Sequence, residues 1–228
     1  MLVKTKGIII NYIKYQDTSI IARAFTEEMG YTSFIVNSVR SAKSKKSIGS
    51  FQPFSLLDMI AYVKENRDIH RLSEWKSFHP THELHHNVYK GTIVLFLSEI
   101  LGKVLGNQSD ENRSIFDFLT QSIITFDQLE HEVENFHLHF LLKIIPHLGF
   151  GITNGEELLR SMELENIHNE PKVISLISKL LQSSILDTVP ASGELRFKVL
   201  ETILSYYNHH DIHIGEIKSL KVLHQVFR

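Results

Sequence analysis

From Lys4 to Lys76 polar and apolar positions alternate with a period of two. The alternation is clearest over Lys4 to Tyr12, Ser19 to Phe25, Tyr31 to Asn37, Phe54 to Val63 and Ile69 to Lys76, segments rich in β-branched and aromatic residues. Turn-forming residues separate them: Gln16-Asp17, Glu28-Met29-Gly30, a long connection over 40 to 50, and Asn66-Arg67-Asp68. Five short strands predict a small β-barrel. A long link between the third and fourth strands suits an OB-fold, although the strand count alone fits an SH3-like barrel as well.

After Pro80 the period changes. Leu84, Val88, Val94, Leu95, Leu97, Ile100, Leu101 and Leu105 recur at helical spacing, and Asn107 to Asp110 supply a break and an N-cap. Further helices are predicted near 112–129, 132–148, 155–163, 171–183, 193–208 and 216–226, with 149–155 and 187–192 as loops. The fold class is therefore α+β and multidomain, with a small N-terminal β-barrel over 1–78, OB or SH3-like on pattern alone, followed by an all-α unit over 79–228.

Charge divides the chain at the same place. Residues 1–77 hold 12 Lys and Arg against 7 Asp and Glu, whereas 78–228 hold 12 against 19, so a formal net charge of −2 conceals two opposite halves. A polyanion meets an attractive surface on the first half and a repulsive one on most of the second. The chain has 228 residues, 43% of them hydrophobic, enough for a sizeable core. Its longest apolar runs fall far short of the roughly 20 residues that cross a bilayer. The N-terminus lacks the layout of a secretory signal, so the expected compartment is the cytoplasm. The absence of cysteine fits that compartment and removes disulfides and thiolate metal sites.

The third strand runs into a basic, serine-spaced stretch, Arg40 to Lys46 (RSAKSKK). Lys4, Lys6, Arg23, Arg40, Lys43, Lys45, Lys46, Arg67 and Arg71 are the candidate phosphate contacts, with Lys14 a further charge. Ser41, Ser44 and Ser47 add hydrogen-bond donors suited to phosphate oxygens. Single strands also require exposed rings for base stacking, and Tyr12, Tyr15, Tyr31 and Phe34 are the candidates. Strict alternation sets Tyr12 in phase with Ile8 and Ile10, a face expected to be buried. The competing reading of the basic stretch is simple solvation of a surface loop.

Histidine is abundant, at 14 residues, and His82-Glu83-Leu84-His85-His86 meets the bare HExxH spacing of a zinc hydrolase. A working hydrolase also needs a third ligand and a substrate groove, so a metallohydrolase using His82, Glu83 and His86 stands as an alternative, and an RNA-binding OB adaptor as another. The sequence contains no phosphate-binding loop, dinucleotide fingerprint, serine elbow or cysteine nucleophile, which makes an enzyme the minority reading.

The stretch KTKGIIINYIKYQDTSIIARAFTEEMGYTSFIVNSVRSAKSK, followed by FQPFSLLDMIAYVKENRDIHRLSE, resembles the N-terminal domain of the RecO family of bacterial recombination and repair mediators. Its specific parts are Lys6-Gly7-Ile8, Asp17-Thr18-Ser19-Ile20, Phe25-Thr26 with Gly30, and the basic stretch at Arg40. Beyond residue 78 the likeness rests on helix order and on Phe140-Leu141-Leu142 leading to His147-Leu148-Gly149-Phe150. The resemblance implies an N-terminal OB-fold over 1–78 in a non-catalytic protein that binds single- and double-stranded DNA, anneals complementary strands, and works with RecR and the acidic C-terminal tail of single-strand-binding protein. Two departures stand out. Many members carry a four-cysteine zinc motif after the Leu-Gly-aromatic exit, but residues 151–171 hold no cysteine, so no metal or other cofactor is expected. Ser38 replaces an expected glycine, which argues against a left-handed backbone there. For the acidic tail, Lys218, Lys221, His224 and Arg228 offer a basic stripe beside Leu220, Leu223 and Phe227; the alternative is that the stripe merely balances charge on the last helix.

Overall fold

The computed structural model describes residues 1–40, 48–106, 113–162, 170–210, 212 and 214–227. Five strands, β1 (Leu2–Tyr15), β2 (Ser19–Thr26), β3 (Gly30–Val36), β4 (Leu56–Tyr62) and β5 (Ile69–His79), close into a barrel in the order β1-β2-β3-β5-β4. All neighbours are antiparallel except β3 and β5, which pair in parallel through Ser33 with Ile69 and Ile35 with Arg71. That closure is the OB topology and settles the choice left open against an SH3-like barrel.

β1 serves two partners. Its first half pairs with β4 and its second with β2, and the register shifts between Ile9 and Asn11. This bulge has a large consequence for side-chain direction. Ile9 points into the barrel with Ala22, Ala24, Phe34, Leu57 and Met59, whereas Ile8 and Ile10 point outward into a second core shared with the helices. Tyr12 therefore packs on the Ile9 side and not with Ile8 and Ile10, correcting the phase expected from strict alternation. Gly7 lies beneath Met59 inside the barrel, where a Cβ would come within 2.2 Å of the Met59 methyl. A 3-10 turn at Ile48–Phe51 sends Phe51 to close the barrel edge-on against Trp75.

Among the described residues eight helices follow: α1 (His82–His86), α2 (Val88–Val104), α3 (Arg113–Gln128), α4 (Phe136–Ile144), α5 (Gly155–Arg160), α6 (Pro171–Gln182), α7 (Gly193–His209) and α8 (Leu220–Val226). The expected first helix splits because the Asn87 side chain accepts hydrogen bonds from the Tyr89 and Lys90 amides, capping α2 in its own right. The predicted helix over 132–148 is α4 flanked by 3-10 turns; Pro146 lacks an amide to continue it, and Gly149 at φ +93° ends the exit. The last helix starts at 220 and not 216, since the Glu99 carboxylate takes the Lys218 and Ser219 amides. Ser38 adopts φ +60°, so the left-handed backbone is kept without glycine; serine pays the steric cost in a turn pinned by Arg40 N donating to Thr18 O at 2.9 Å.

The second core is continuous from barrel to helices. Ile8, Ile10, Phe25, Phe54 and Leu56 of the barrel share it with residues of α2, α3, α4, α6 and α7. Phe54 stacks on Phe140 with centroids 6.4 Å apart, and Phe118 and Phe136 close around the same ring. Among the described residues no helix is long and apolar enough to cross a membrane.

Two buried histidines make this core acid-sensitive. Burial pushes His137 down to about 3, helped by the Arg196 charge, and His139 down to about 4, helped by Lys143. An unfolded histidine binds its proton near ~6.5, so below that pH the unfolded chain takes up protons that the folded one refuses. The stability these neutral rings permit is complete above about pH 6.5 and is lost as pH falls toward 4. Urea midpoints should decline from pH 7 to 5, and the decline should be shallower in His137→Phe; an equal decline in both proteins would exclude His137 as a cause.

Candidate nucleic-acid interface

Outward-facing positions of all five strands form a continuous row: Ile13, Ile21, Ile35, Arg71 and Tyr62 are successive cross-strand partners around the barrel. A parallel row runs from Arg23 through Ser33 to Ile69. Where the rows meet the β4–β5 turn, a concavity of about 590 Å³ is lined by Ile35, Tyr62, Lys64, Arg67, Ile69, His70, Arg71 and Ser73. Three of these side chains are cationic and none is a carboxylate, so the surface attracts phosphate. Tyr62 is 50% exposed and Ile69 41%, apolar surface of the kind on which a base can stack. Asp68 lies just outside the lining; burial lowers the His70 pKa, and the Asp68 charge partly opposes that shift.

The nine sequence-nominated cations do not form one cluster. Arg67 and Arg71 share the concavity just described. Arg23 lies in the row leading to Ile69 and interacts with the Tyr31 hydroxyl, whose pKa burial raises and Arg23 draws back. Lys4 and Lys6 line a separate concavity of about 450 Å³ with Lys76, but Glu27, Glu28, Asp58 and Glu74 line it too. There Lys6 pairs across the strands with Asp58 and lies over the Phe78 ring, so the local field is mixed and not cationic. The Arg40 guanidinium donates to the Gln16 and Asp17 carbonyls, tying the exit of β3 to the β1–β2 turn. Lys43, Lys45 and Lys46 lie outside the described residues.

The nominated rings fare unevenly. Phe34 is fully buried, Tyr12 packs on the barrel core and Tyr31 on the helical core, leaving Tyr15 with 38% exposure. Sequence reasoning missed Tyr62 and Lys64. Tyr62 had a usable signal, since it shares its strand phase with Asp58, whose charge marks the outward face.

The HELHH run forms α1, and His82, His85 and His86 open on one concavity whose lining does not include Glu83. Among the described residues no group of three or more His, Cys, Asp or Glu is placed to hold a metal ion. In the C-terminal stripe, Leu223 is buried and Leu220 and Phe227 pack on the core, so its apolar half forms no open groove. This favours the charge-balance alternative.

A barrel of OB topology, with a cationic and ring-bearing face on strands β3, β4 and β5, defines the class of OB-fold nucleic-acid-binding proteins. Comparison with known proteins narrows this class. The family described as recombination protein O N terminal matches residues 1–81, and recombination protein O C terminal matches 85–153. The DNA repair protein RecO of Flavobacterium psychrophilum is 33% identical over 240 residues, covering the whole of both chains. The RecO of Bacteroides fragilis is 31% identical over 243 residues with the same full coverage, and that of Prosthecochloris aestuarii is 31% identical over 169 residues, 72% of this chain and 63% of that one. The chain belongs to the RecO family of DNA repair proteins.

Proposed function

We propose that the protein acts without catalysis in recombinational repair, binding single- and double-stranded DNA through the barrel, annealing complementary strands and assisting recombinase loading. The observation that carries this reading is the β3–β5–β4 concavity, where Lys64, Arg67 and Arg71 surround Tyr62 with no carboxylate in the lining. Its cations contact phosphates irrespective of sequence, and the ring stacks on whichever base is presented. Arg23 extends the path along β2, and the basic stretch at Lys43, Lys45 and Lys46 supplies further phosphate contacts. Arg40 adds charge at the start of that stretch, while Lys4 and Lys6 contribute only where a strand passes the mixed-charge side. In this reading residues 1–78 are the DNA-binding unit and 79–228 the helical unit, and the protein works in the cytoplasm.

Partners follow from the same family membership: RecR, and the acidic C-terminal tail of single-strand-binding protein. A concavity of about 310 Å³ on α6 and α7 supports tail binding, because Lys172 and Lys179 flank apolar Leu176, Leu195, Pro171 and Pro190. An acidic peptide with an apolar end matches that chemistry.

Strand annealing monitored with labelled complementary oligonucleotides tests the function as a whole. Tyr62→Ala is expected to weaken single-strand binding by about 1 to 3 kcal/mol while changing duplex binding little. Equal losses on both substrates would remove Tyr62 as a stacking platform.

A further inference from the structure

Of the eight buried side-chain polar atoms without a hydrogen bond among the described residues, four belong to side chains that line one concavity. They are Asn135 Oδ1, both ring nitrogens of His139, and Arg196 Nε. The concavity, of about 310 Å³, is walled by the start of α4, the α6–α7 connection and Arg196 of α7. A buried polar group without a partner is costly, so four around one space point to something that bonds with them. Their orientation is fixed from behind. The Asn135 amide nitrogen donates to the Val189 carbonyl, and Arg196 Nη1 donates to the Ala191 carbonyl at 2.7 Å. Both side chains are thus fastened to one connection, and each holds its remaining atom, an acceptor on Asn135 and a donor on Arg196, in a set direction. His139 is only 1% exposed. Burial and the Lys143 charge lower its pKa to about 4 against the Leu180 carbonyl and Asp187, so at neutral pH the ring offers one donor and one acceptor. The Leu180 carbonyl acts on the ring, but neither nitrogen makes a hydrogen bond with it.

Charge selects the occupant. Glu132, Glu134 and Asp187 line the concavity against the single cation Arg196, a field that repels a phosphate chain or an acidic peptide. Among the described residues these carboxylates are not grouped with His139 to hold a metal ion. A simple cation would leave the Arg196 and His139 donors unmatched, and a simple anion would face three carboxylates. We propose that this concavity binds a small zwitterion, an α-amino acid, whose carboxylate accepts from Arg196 Nε and the His139 ring while its ammonium donates to Asn135 Oδ1 in the field of the three acids. Phe136, Ile185 and Val189 line the same space and receive an apolar side chain. The volume lies at the lower end of the roughly 300 to 1,000 Å³ of small-molecule sites, which suits a ligand of this size. The site is remote in sequence and opposite in charge from the β3–β5–β4 concavity, and the proposal does not depend on DNA binding.

Isothermal titration of the full chain at neutral pH tests the assignment, with L-leucine as the zwitterion, isoamylamine as the same skeleton without its carboxylate, and isocaproate as the skeleton without its ammonium. Leucine should bind, and each single-charge probe should bind at least about tenfold more weakly, since each gives up charged hydrogen bonds. His139→Phe removes both ring nitrogens but keeps an apolar ring of similar shape. It should weaken leucine at least about tenfold while its urea midpoint without ligand stays equal to or above that of the unaltered protein, because an unpartnered polar group has been removed. In Arg196→Lys leucine should weaken and isoamylamine should not, a difference that misfolding does not produce. Equal affinity for the three probes, or parallel loss of leucine and isoamylamine in Arg196→Lys, overturns the zwitterion site. Failure of L-leucine, L-glutamine and glycine alike to bind at millimolar concentration overturns it as well and leaves the concavity to solvent.

Discussion

Phe140→Ala is expected to destabilise the whole molecule by about 3 to 5 kcal/mol, the usual cost of deleting a fully buried ring. Phe140 has no exposed surface and contacts Phe54 from the barrel side and Phe118 and Phe136 from the helical side. The hole would therefore open at the point where the two units share one core. Trp75, the single tryptophan, packs on the barrel interior and reports that unit by fluorescence, while far-ultraviolet dichroism reports the helices. Because the core is continuous, both signals should move to lower denaturant together. A tryptophan transition left at its original midpoint while helicity is lost early would show that the barrel stands alone.

Arg67→Ala/Arg71→Ala should produce the largest functional loss. Both guanidinium groups line the concavity beside Tyr62, and a hydrogen bond to a charged group contributes about 1.5 to 3 kcal/mol. Losing two such contacts should weaken oligonucleotide binding at least about a hundredfold and lower the logarithmic salt slope by about 1.4. Lys4→Ala/Lys6→Ala is the informative comparison. These lysines sit among Glu27, Glu28, Asp58 and Glu74, so their removal should change affinity far less. Equal losses from both double variants would mean that total charge, and not the β4–β5 surface, governs binding.

That contrast also marks what the sequence can reveal. Alternation located all five strands, since a half-buried sheet writes its two faces into every second residue. It also identified Arg67 and Arg71 as candidates. What it could not supply is cross-strand register. Lys4 and Arg71 look equivalent along the chain, yet β1 sets Lys4 opposite Ile60, which pairs on with Glu74, while the parallel β3–β5 pairing sets Arg71 opposite Ile35. Tyr12 was misassigned by a single bulged residue, an insertion that hydrophobic pattern does not encode. The breaks in the helices were more legible. Asn87 and Pro146 carry their stop signals in their own chemistry. The displacement of α8 was not, because it depends on Glu99, more than a hundred residues earlier.

Hydrogen–deuterium exchange along the whole chain, with and without a single-stranded oligonucleotide at low salt, probes the proposed DNA face most directly. Bound DNA should slow exchange across Tyr62 to Arg71, the β4–β5 turn and its flanks, together with neighbouring β3. Binding that leaves exchange over Tyr62 to Arg71 unchanged, with protection confined to the helices, would contradict the assignment of this barrel face.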